Sequence, residues 1–222
     1  MVNEERIKLM TRMAAYEKEE HSNFKELLKE KIADYDMVIM QHEIPQEVNL
    51  KVAEYAKAKG VPVMLNPAPS AEVPEKLISC LTYISPNEHE AEDIVGIKPE
   101  GEDALYRAVE ALHNMGVKNV LITLGKAGCV LSDGLTMTES PSIDIAPVID
   151  PTAAGDSFIG AFCTAMAAGV RFDDALVFAN CTAGITVSRM GAQTSLPTFD
   201  EVITAMTEKG FNTKNYYLIK GE

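Results

Sequence analysis

The chain has 222 residues, which suits one α/β domain or a little more, and with 46% hydrophobic residues it can bury a sizeable core, so intrinsic disorder is excluded as its main state. Its 33 acidic and 20 basic residues give a formal net charge of −13, which disfavours a nucleic-acid-binding protein. No apolar run approaches the roughly 20 residues that span a bilayer and the start lacks an apolar signal segment, so we expect a cytoplasmic protein without nucleic-acid or membrane partners.

The opening of the chain differs in charge pattern from the rest. The first 31 residues carry seven acidic and seven basic side chains, so the remainder holds the whole net charge of −13. Such mixed charge predicts a solvated helix with ion pairs between successive turns, over about Val2 to Glu20. We therefore divide the chain into a charged helical segment, residues 1–22, and a body, residues 23–222.

The body alternates short apolar strands with longer amphipathic segments. Strands are predicted at 37–40, 61–65, 81–84 and 119–124, with edge strands at 129–131 and 143–145 around an Asp133-Gly134 turn. Helices are predicted at 46–59, 87–95, 103–115, 155–168, 173–189 and 198–209. This alternation indicates βαβ units, and so an α/β fold with a mostly parallel central sheet.

The cysteines and histidines do not form a recognisable metal site. The HExxH spacing of zinc enzymes is absent, and no two cysteines are spaced as CxxC. The four cysteines lie in apolar stretches, which favours reduced, buried thiols: Cys80, Cys129, Cys163 and Cys181.

The segment from Asp150 to Phe158 is the strongest candidate for chemistry. Small residues lead directly into an apolar helix, which leaves the N–H groups of Ala153, Ala154 and Gly155 free at a helix N-terminus. Such groups, together with the helix dipole, bind a phosphate or a developing anion. Asp156 would project beside them and accept a proton from a substrate hydroxyl. The alternative is that Asp156 only stabilises its own helix N-terminus.

Two further segments follow predicted strands, where open α/β sheets bind their ligands. Asn87 and Glu90 are three residues apart, so both can face one site and orient magnesium-bound water or phosphate, or else close a capping box. In the segment Thr123–Gly128, two glycines allow a nucleotide to approach the backbone, although a glycine turn between strands explains them equally well. A last segment, Arg189–Ser195, reads by itself as a helix C-terminus and loop.

Taken in order, these segments resemble the ribokinase-like (PfkB) sugar kinases, and most closely the ribokinases. The resemblance covers roughly residues 23 to 210. It rests on the strings VIMQHEIP, LNPAPS, ISPNEHEAE, VLITLGKAGC, VIDPTAAGDSFIGAF and VSRMGAQTSLP. It implies a three-layer α/β/α fold and ATP-dependent phosphorylation of a sugar hydroxyl, with ribose converted to ribose 5-phosphate.

The resemblance also assigns roles to individual residues. It implies that Asp156 is the catalytic base and that the N–H groups of Ala153, Ala154 and Gly155 form an anion hole for the transferring phosphoryl group. It implies that ATP and Mg²⁺ are held by a second set: Asn87, Glu90, Thr123, Gly125, Gly128 and Asn180. It implies a K⁺ ion in a third set, with carbonyl ligands among them: Asp150, Thr152, Val187, Gly191 and Ser195.

The resemblance further implies that this chain lacks the family's N-terminal strands, its β-sheet lid and its glycine-rich GGKGxN-type sugar-binding segment. We therefore expect an exposed sheet edge, covered by the N-terminal helix or by a second copy in a homo-oligomer. Two alternatives to a ribose kinase stay open. One is a non-catalytic remnant that binds a nucleotide or a partner, and the other is a PfkB-type kinase for fructose or a nucleoside.

Overall fold

The computed structural model describes residues 28–221, and within them six strands form a single sheet in chain order. The strands are β1 (Val38–Met40), β2 (Val63–Leu65), β3 (Tyr83–Ile84), β4 (Asn119–Thr123), β5 (Cys129–Ser132) and β6 (Met137–Ser140). Neighbours from β1 to β4 pair in parallel, and β4, β5 and β6 pair antiparallel. The predicted mostly parallel sheet is confirmed, and β1 is one of its two outer strands.

Helices connect or follow these strands. They are α1 (Gln46–Lys59), α2 (Glu75–Ile78), α3 (Glu88–Val95), α4 (Glu102–Asn114), α5 (Ala154–Ala167), α6 (Phe172–Thr186) and α7 (Phe199–Glu208). Short 3₁₀ helices lie at Ile32–Asp34, Gly125–Ala127, Gln193–Ser195 and Lys214–Lys220. As predicted, α1 ends where Gly60 adopts a left-handed conformation, with φ of 71°.

Helices cover both faces of the sheet. Alternate residues of β4 point to opposite sides, so Val120 and Leu121 belong to different apolar clusters. The first cluster contains buried residues of α1 to α4, and the second contains those of α5 to α7. This is the predicted three-layer α/β/α arrangement, and it explains why the strands are apolar on both faces.

The prediction of a strand at Ile143–Ile145 is wrong, because β5 pairs instead with Met137–Ser140. The reason is a tight turn at Asp133, whose Oδ1 accepts the N–H groups of Leu135 and Thr136 at 2.9 and 2.7 Å. The chain therefore reverses at once, and the return strand begins at Met137. Residues 143 and 145 are partly buried and pack against the second apolar cluster.

Other expectations have mixed outcomes. Helix α6 ends at Thr186, three residues before the predicted end. All four cysteines are buried free thiols, and burial raises the pKa of Cys129 to about 12. Within residues 28–221, no helix has the length and apolar character needed to cross a membrane. The helix predicted at Val2–Glu20 lies outside the described residues.

Candidate active site

A cleft of about 430 Å³ opens at the carboxyl ends of the parallel strands. Asn66 follows β2, Ser85 follows β3 and Thr123 ends β4, and all three line the cleft. The N-terminus of α5 forms the opposite wall. The cleft therefore lies where open α/β sheets carry their ligand sites.

The structure brings the predicted catalytic and nucleotide-binding residues into this one cleft. Segments that are far apart in the chain converge because the parallel strands end at the same sheet edge. The predicted residues that line it are Asn87, Glu90, Thr123, Gly125, Gly128, Ala153, Ala154, Gly155, Asp156 and Asn180. Their roles remain predictions, but their proximity makes a common function physically possible.

The N-terminus of α5 has an unusual backbone. Ala153 is its N-cap residue and has φ of 62°, a left-handed conformation that only glycine adopts elsewhere in residues 28–221. Ala153 has no side chain to cap the helix, and within the described residues the N–H groups of Ala153 and Gly155 make no hydrogen bond. The prediction of a free N–H at Ala154 is wrong, because this group donates to Pro151 O at 3.2 Å. The strained turn thus leaves open donors that face the cleft.

Asp156 lies in the first turn of α5 and is exposed. Its Oδ1 accepts a hydrogen bond of 2.9 Å from Nε2 of Gln41, which follows strand β1. The carboxylate therefore has one oxygen fixed by an amide and one oxygen available to a ligand. Sequence reasoning missed Gln41, because 115 residues separate it from Asp156.

Asn87 and Glu90 form the capping box that the sequence had left as an alternative. Glu90 N donates to Asn87 Oδ1, and Asn87 N donates to Glu90 Oε2, both at 2.9 Å. Burial raises the pKa of the Glu90 carboxyl, while the hydrogen bond from Asn87 and the nearby His42 oppose the rise. The box uses one side-chain oxygen of each residue, so Oε1 of Glu90 and the amide nitrogen of Asn87 are left for a ligand.

Two further polar residues line the cleft without an assigned role. Ser85 is 2% exposed, and its Oγ is buried without a hydrogen-bond partner in the described residues. Asn66 is 7% exposed. A buried polar atom without a partner is costly unless water or a ligand satisfies it. The sequence signal for both is their place just after a strand.

The glycine segment after β4 and Asn180 complete the cleft. Gly125 has φ of 51° and open space where a side chain would be, so a ligand can approach its backbone. At Gly128, a Cβ would lie 2.1 Å from Ser140 O, so close packing accounts for that glycine. Asn180 is buried, and its amide nitrogen donates to Ser140 Oγ at 2.9 Å.

The residues predicted to hold a monovalent cation lie outside the group that lines the cleft. Asp150 accepts the N–H groups of Thr152 and Gly191 at 2.9 and 3.0 Å, and hydrogen bonds from these two residues lower its pKa. The Val187 carbonyl accepts the N–H of Asp150 at 3.1 Å, and that of Ile149.

The buried Ser195 donates instead to Ala192 O at 2.7 Å. The hydrogen bonds of Asp150 connect it to Thr152, Val187 and Gly191, and they leave lone pairs on the Asp150 carboxylate, an oxygen ligand of the kind that hard cations prefer. Within residues 28–221, no three His, Cys, Asp or Glu side chains are grouped closely enough to hold a metal ion between them.

The sequence of this chain is similar to those of several known proteins. The pattern described as "pfkB family carbohydrate kinase" matches residues 1–199, so it includes the charged segment at residues 1–22. A ribokinase of Staphylococcus aureus (strain COL) is 40% identical over 177 residues, and one of Haemophilus influenzae is 38% identical over 174. Each alignment covers 78% of this chain.

Solved structures are similar as well. Arabidopsis thaliana ribokinase complexed with ribose and ATP superposes with a TM-score of 0.78 and 34% identity, covering 80% of this chain and 58% of that one. Thermotoga maritima ribokinase has a TM-score of 0.73 and 32% identity, covering 82% and 61%. The chain spans 57% and 56% of the length of the two bacterial relatives.

Proposed function

The chain belongs to the pfkB family of carbohydrate kinases, and on that premise we propose that it transfers the γ-phosphoryl group of ATP to a sugar hydroxyl. The observation that carries this proposal is the pairing of the Asp156 carboxylate with open N–H groups at the start of α5, in a cleft at the strand ends. Such a pair supplies a proton acceptor and an anion site side by side, which phosphoryl transfer requires.

The proposed reaction divides the work among few groups. Asp156 takes the proton of the sugar hydroxyl while the hydroxyl oxygen forms its bond to the γ-phosphorus. The bond from that phosphorus to the β–γ bridging oxygen breaks, and ADP leaves with the electron pair. The N–H groups of Ala153 and Gly155 stabilise the charge on the moving phosphoryl group, because fixed donors at a helix N-terminus need no reorganisation. No side-chain nucleophile is needed.

The nucleotide would lie along the glycine segment that follows β4. Gly125 and its open surroundings let phosphates approach the backbone, and Thr123 ends the strand beside it. Asn180 borders the same cleft, with its amide nitrogen committed to Ser140. We assign Asn180 to the edge of the adenine site, because its side-chain oxygen is not used by the hydrogen bonds to Ser140.

Asn87 and Glu90 would orient the magnesium ion that accompanies ATP. The remaining carboxylate oxygen of Glu90 fits a hydrated Mg²⁺, which is usually held by one or two carboxylates together with phosphate oxygens. The remaining amide nitrogen of Asn87 is a donor, which suits a phosphate oxygen. When bound, Mg²⁺ neutralises charge on the β- and γ-phosphates. The capping box holds Glu90 in place through Oε2 and leaves Oε1 without a hydrogen bond from the box.

The Asp150 loops would hold K⁺ next to the anion site. Asp150 and Thr152 directly precede Ala153 in the chain, so a cation there would lie close to the start of α5. The hydrogen bonds to Asp150 keep its carboxylate charged and oriented. In the arrangement described, two N–H groups already occupy the Val187 carbonyl, so K⁺ ligation by Val187 requires one of them to move.

Ribose is the proposed acceptor because the two bacterial relatives described above are named ribokinases and the similar Arabidopsis thaliana ribokinase is solved with ribose and ATP. A deoxyribokinase of Salmonella typhi is also similar, at 27% identity. The non-catalytic alternative rests on the share of the relatives that the chain spans, 57% for the S. aureus ribokinase. A ribose kinase, a deoxyribose kinase and a non-catalytic remnant differ in which sugar, if any, accelerates ADP formation.

The experiment that tests the proposal measures ADP release from MgATP with ribose, 2-deoxyribose, fructose or adenosine, in K⁺ and in Na⁺. We expect ribose to give the highest kcat/KM and K⁺ to exceed Na⁺. A larger kcat/KM with another acceptor would replace ribose in the proposal. Binding of MgATP without any acceptor-dependent ADP release would favour the non-catalytic remnant.

A further inference from the structure

Four helices within residues 28–221 carry an acidic residue at the third position of their first turn, and two of them use it in the same way. In α6, Asp174 accepts side-chain hydrogen bonds from Arg171 and Asn215. In α3, Glu90 accepts the N–H of the N-cap residue Asn87. In α7, Glu201 accepts the N–H of Thr198 at 2.7 Å. Both carboxylates therefore satisfy a free N–H at the start of their own helix, as is usual for this position.

Helix α5 departs from this arrangement. Asp156 occupies the corresponding third position, and the N-cap residue is Ala153, which offers no side-chain acceptor. A first-turn carboxylate is normally attracted to the N–H groups of its own helix terminus. Here Oδ1 of Asp156 accepts instead from Nε2 of Gln41 at 2.9 Å, and the N–H groups of Ala153 and Gly155 stay open.

Gln41 is well anchored for this contact. Its carbonyl oxygen accepts a hydrogen bond of 2.7 Å from Nδ2 of Asn49, a residue of α1 that is fully buried. The next residue, His42, donates its N–H to Ala68 O at 2.8 Å. The backbone at Gln41 is thus held by α1 and by the loop after β2, and this fixes the point from which its side chain reaches Asp156.

We propose that Gln41 is a positioning residue that holds the Asp156 carboxylate away from the N–H groups at the start of α5. This inference deepens the proposed function and rests on it. With Oδ1 held by the amide, the N–H groups of Ala153 and Gly155 remain available to the γ-phosphoryl group. The second oxygen, Oδ2, remains available to the acceptor hydroxyl.

The inference has a specific energetic consequence. Without the Gln41 amide, the Asp156 carboxylate rotates toward the open N–H groups and competes there with the γ-phosphate, which is also an anion. MgATP binding then weakens, whereas MgADP binding changes little because ADP has no γ-phosphate. The loss acts through the carboxylate, so it disappears when Asp156 has no carboxylate to rotate.

The test is a double-mutant cycle on nucleotide binding, measured by isothermal titration calorimetry of the whole chain with MgATP and with MgADP. Gln41→Met removes the donor and keeps the side-chain length. Gln41→Glu is a second variant of the same shape that cannot donate. Asp156→Ala supplies the background without a carboxylate. Gln46→Met is the matched control, because Gln46 donates to Glu72 O at 2.6 Å in an exposed position outside the cleft lining.

We expect Gln41→Met and Gln41→Glu to weaken MgATP binding about tenfold, the usual effect of one lost charge-assisted hydrogen bond, and to leave MgADP binding within about twofold. In the Asp156→Ala background, Gln41→Met should change neither. Gln46→Met should leave both constants unchanged. Circular dichroism and urea unfolding of each variant identify any variant that fails to fold, and the other Gln41 variant then carries the test.

Two results would overturn the inference: unchanged MgATP binding in both Gln41 variants, or the same loss with and without the Asp156 carboxylate. The second result would assign Gln41 a structural role only. A wild-type chain that binds MgATP but phosphorylates no sugar contradicts the proposed function and leaves this cycle valid. A wild-type chain that binds no nucleotide contradicts both.

Discussion

The side-chain amide of Asn180 donates hydrogen bonds to two oxygens of Ser140, at 2.9 Å to Oγ and 3.2 Å to the carbonyl. This contact joins α6 to β6, the outer strand of the sheet, at the edge of the cleft. Both residues are buried, so neither oxygen can turn to solvent when the amide is lost. Asn180 therefore has a structural task in addition to the one proposed at the nucleotide site.

Replacement of Asn180 by leucine tests this structural task. Leucine has a similar volume but no donor, so both buried oxygens of Ser140 lose the amide. Among the described residues, the only side-chain donor that the carbonyl keeps is the weak Cys129 Sγ, at 3.8 Å. We expect the free energy of unfolding to fall by about 1–3 kcal/mol. Ser140→Ala, which removes only one acceptor, should cost less. Urea denaturation measures both, and a loss below about 0.5 kcal/mol for Asn180→Leu would contradict the contact.

The two positive-φ glycines after β4 should respond differently to alanine. Gly125→Ala places a Cβ in open space and bears only backbone strain, which we expect to cost roughly 1–2 kcal/mol. Gly128→Ala drives a Cβ against the backbone of Ser140 and Ser142, so the end of β6 must shift, at a cost of roughly 3 kcal/mol or more. Thermal unfolding of the two variants compares them. Equal losses would mean that the close approach at Gly128 does not exist in solution.

The raised pKa of Glu90 predicts a dependence of stability on pH. A carboxyl whose pKa is higher in the folded chain than in the unfolded chain binds more protons when folded. The contribution of Glu90 to stability is therefore fully present below pH 4.5, the ordinary pKa of a glutamate carboxyl. It is lost as the pH rises from that value through the higher pKa of Glu90 in the folded chain. Glu90→Gln removes this titration and keeps an oxygen for the N–H of Asn87.

We accordingly expect the free energy of unfolding of the wild type, relative to Glu90→Gln, to decrease as pH rises through that range. Urea denaturation at a series of pH values measures the difference. Glu92→Gln is the control, because Glu92 lies on the exposed side of the same helix. Parallel curves for the wild type and Glu90→Gln would contradict the burial of Glu90.

Asp156→Asn tests the proton acceptor. Asparagine keeps an oxygen that can accept the hydrogen bond from the Gln41 amide, so the fold and nucleotide binding should survive. Its side chain no longer takes a proton at neutral pH. We expect turnover to fall by roughly 10²–10⁴, the usual contribution of a general base. Steady-state kinetics with MgATP and ribose gives the ratio. Asp103→Asn, in the exposed first turn of α4, should keep normal turnover, and normal turnover of Asp156→Asn would refute its assignment as the base.

Much of the fold was predictable from local patterns. The amphipathic pattern of Gln46–Lys59 and the glycine that follows it predicted both ends of α1 correctly. Local helix propensity and the left-handed conformation of Gly60 favour the same boundary. The strand at Ile143–Ile145 was predicted wrongly, since its β-branched pattern is also what partly buried loop residues show. Its true counterpart, Met137–Ser140, is more polar, and the turn hydrogen bonds of Asp133 decide the pairing.

The candidate site shows the same limit. Strand ends indicated some of the residues that line the cleft, and the resemblance to the PfkB kinases was needed to group them and to add Asn180. The contact between Gln41 and Asp156 was not predictable, because it depends on how β1 and α5 approach each other in space. Likewise, the sequence could not decide whether Asn87 and Glu90 form a capping box. The structure has the box and still leaves polar atoms of both residues to the cleft.

Phosphorus NMR of the reaction mixture shows directly whether this chain moves a phosphoryl group from ATP to ribose, as we propose. We predict that, in the presence of Mg²⁺, K⁺ and ribose, a sugar phosphomonoester resonance grows in step with ADP. The same resonance should be absent when Asp156→Asn replaces the wild type. ATP that remains unchanged with the wild type, or ADP that appears only with inorganic phosphate, would contradict the claim.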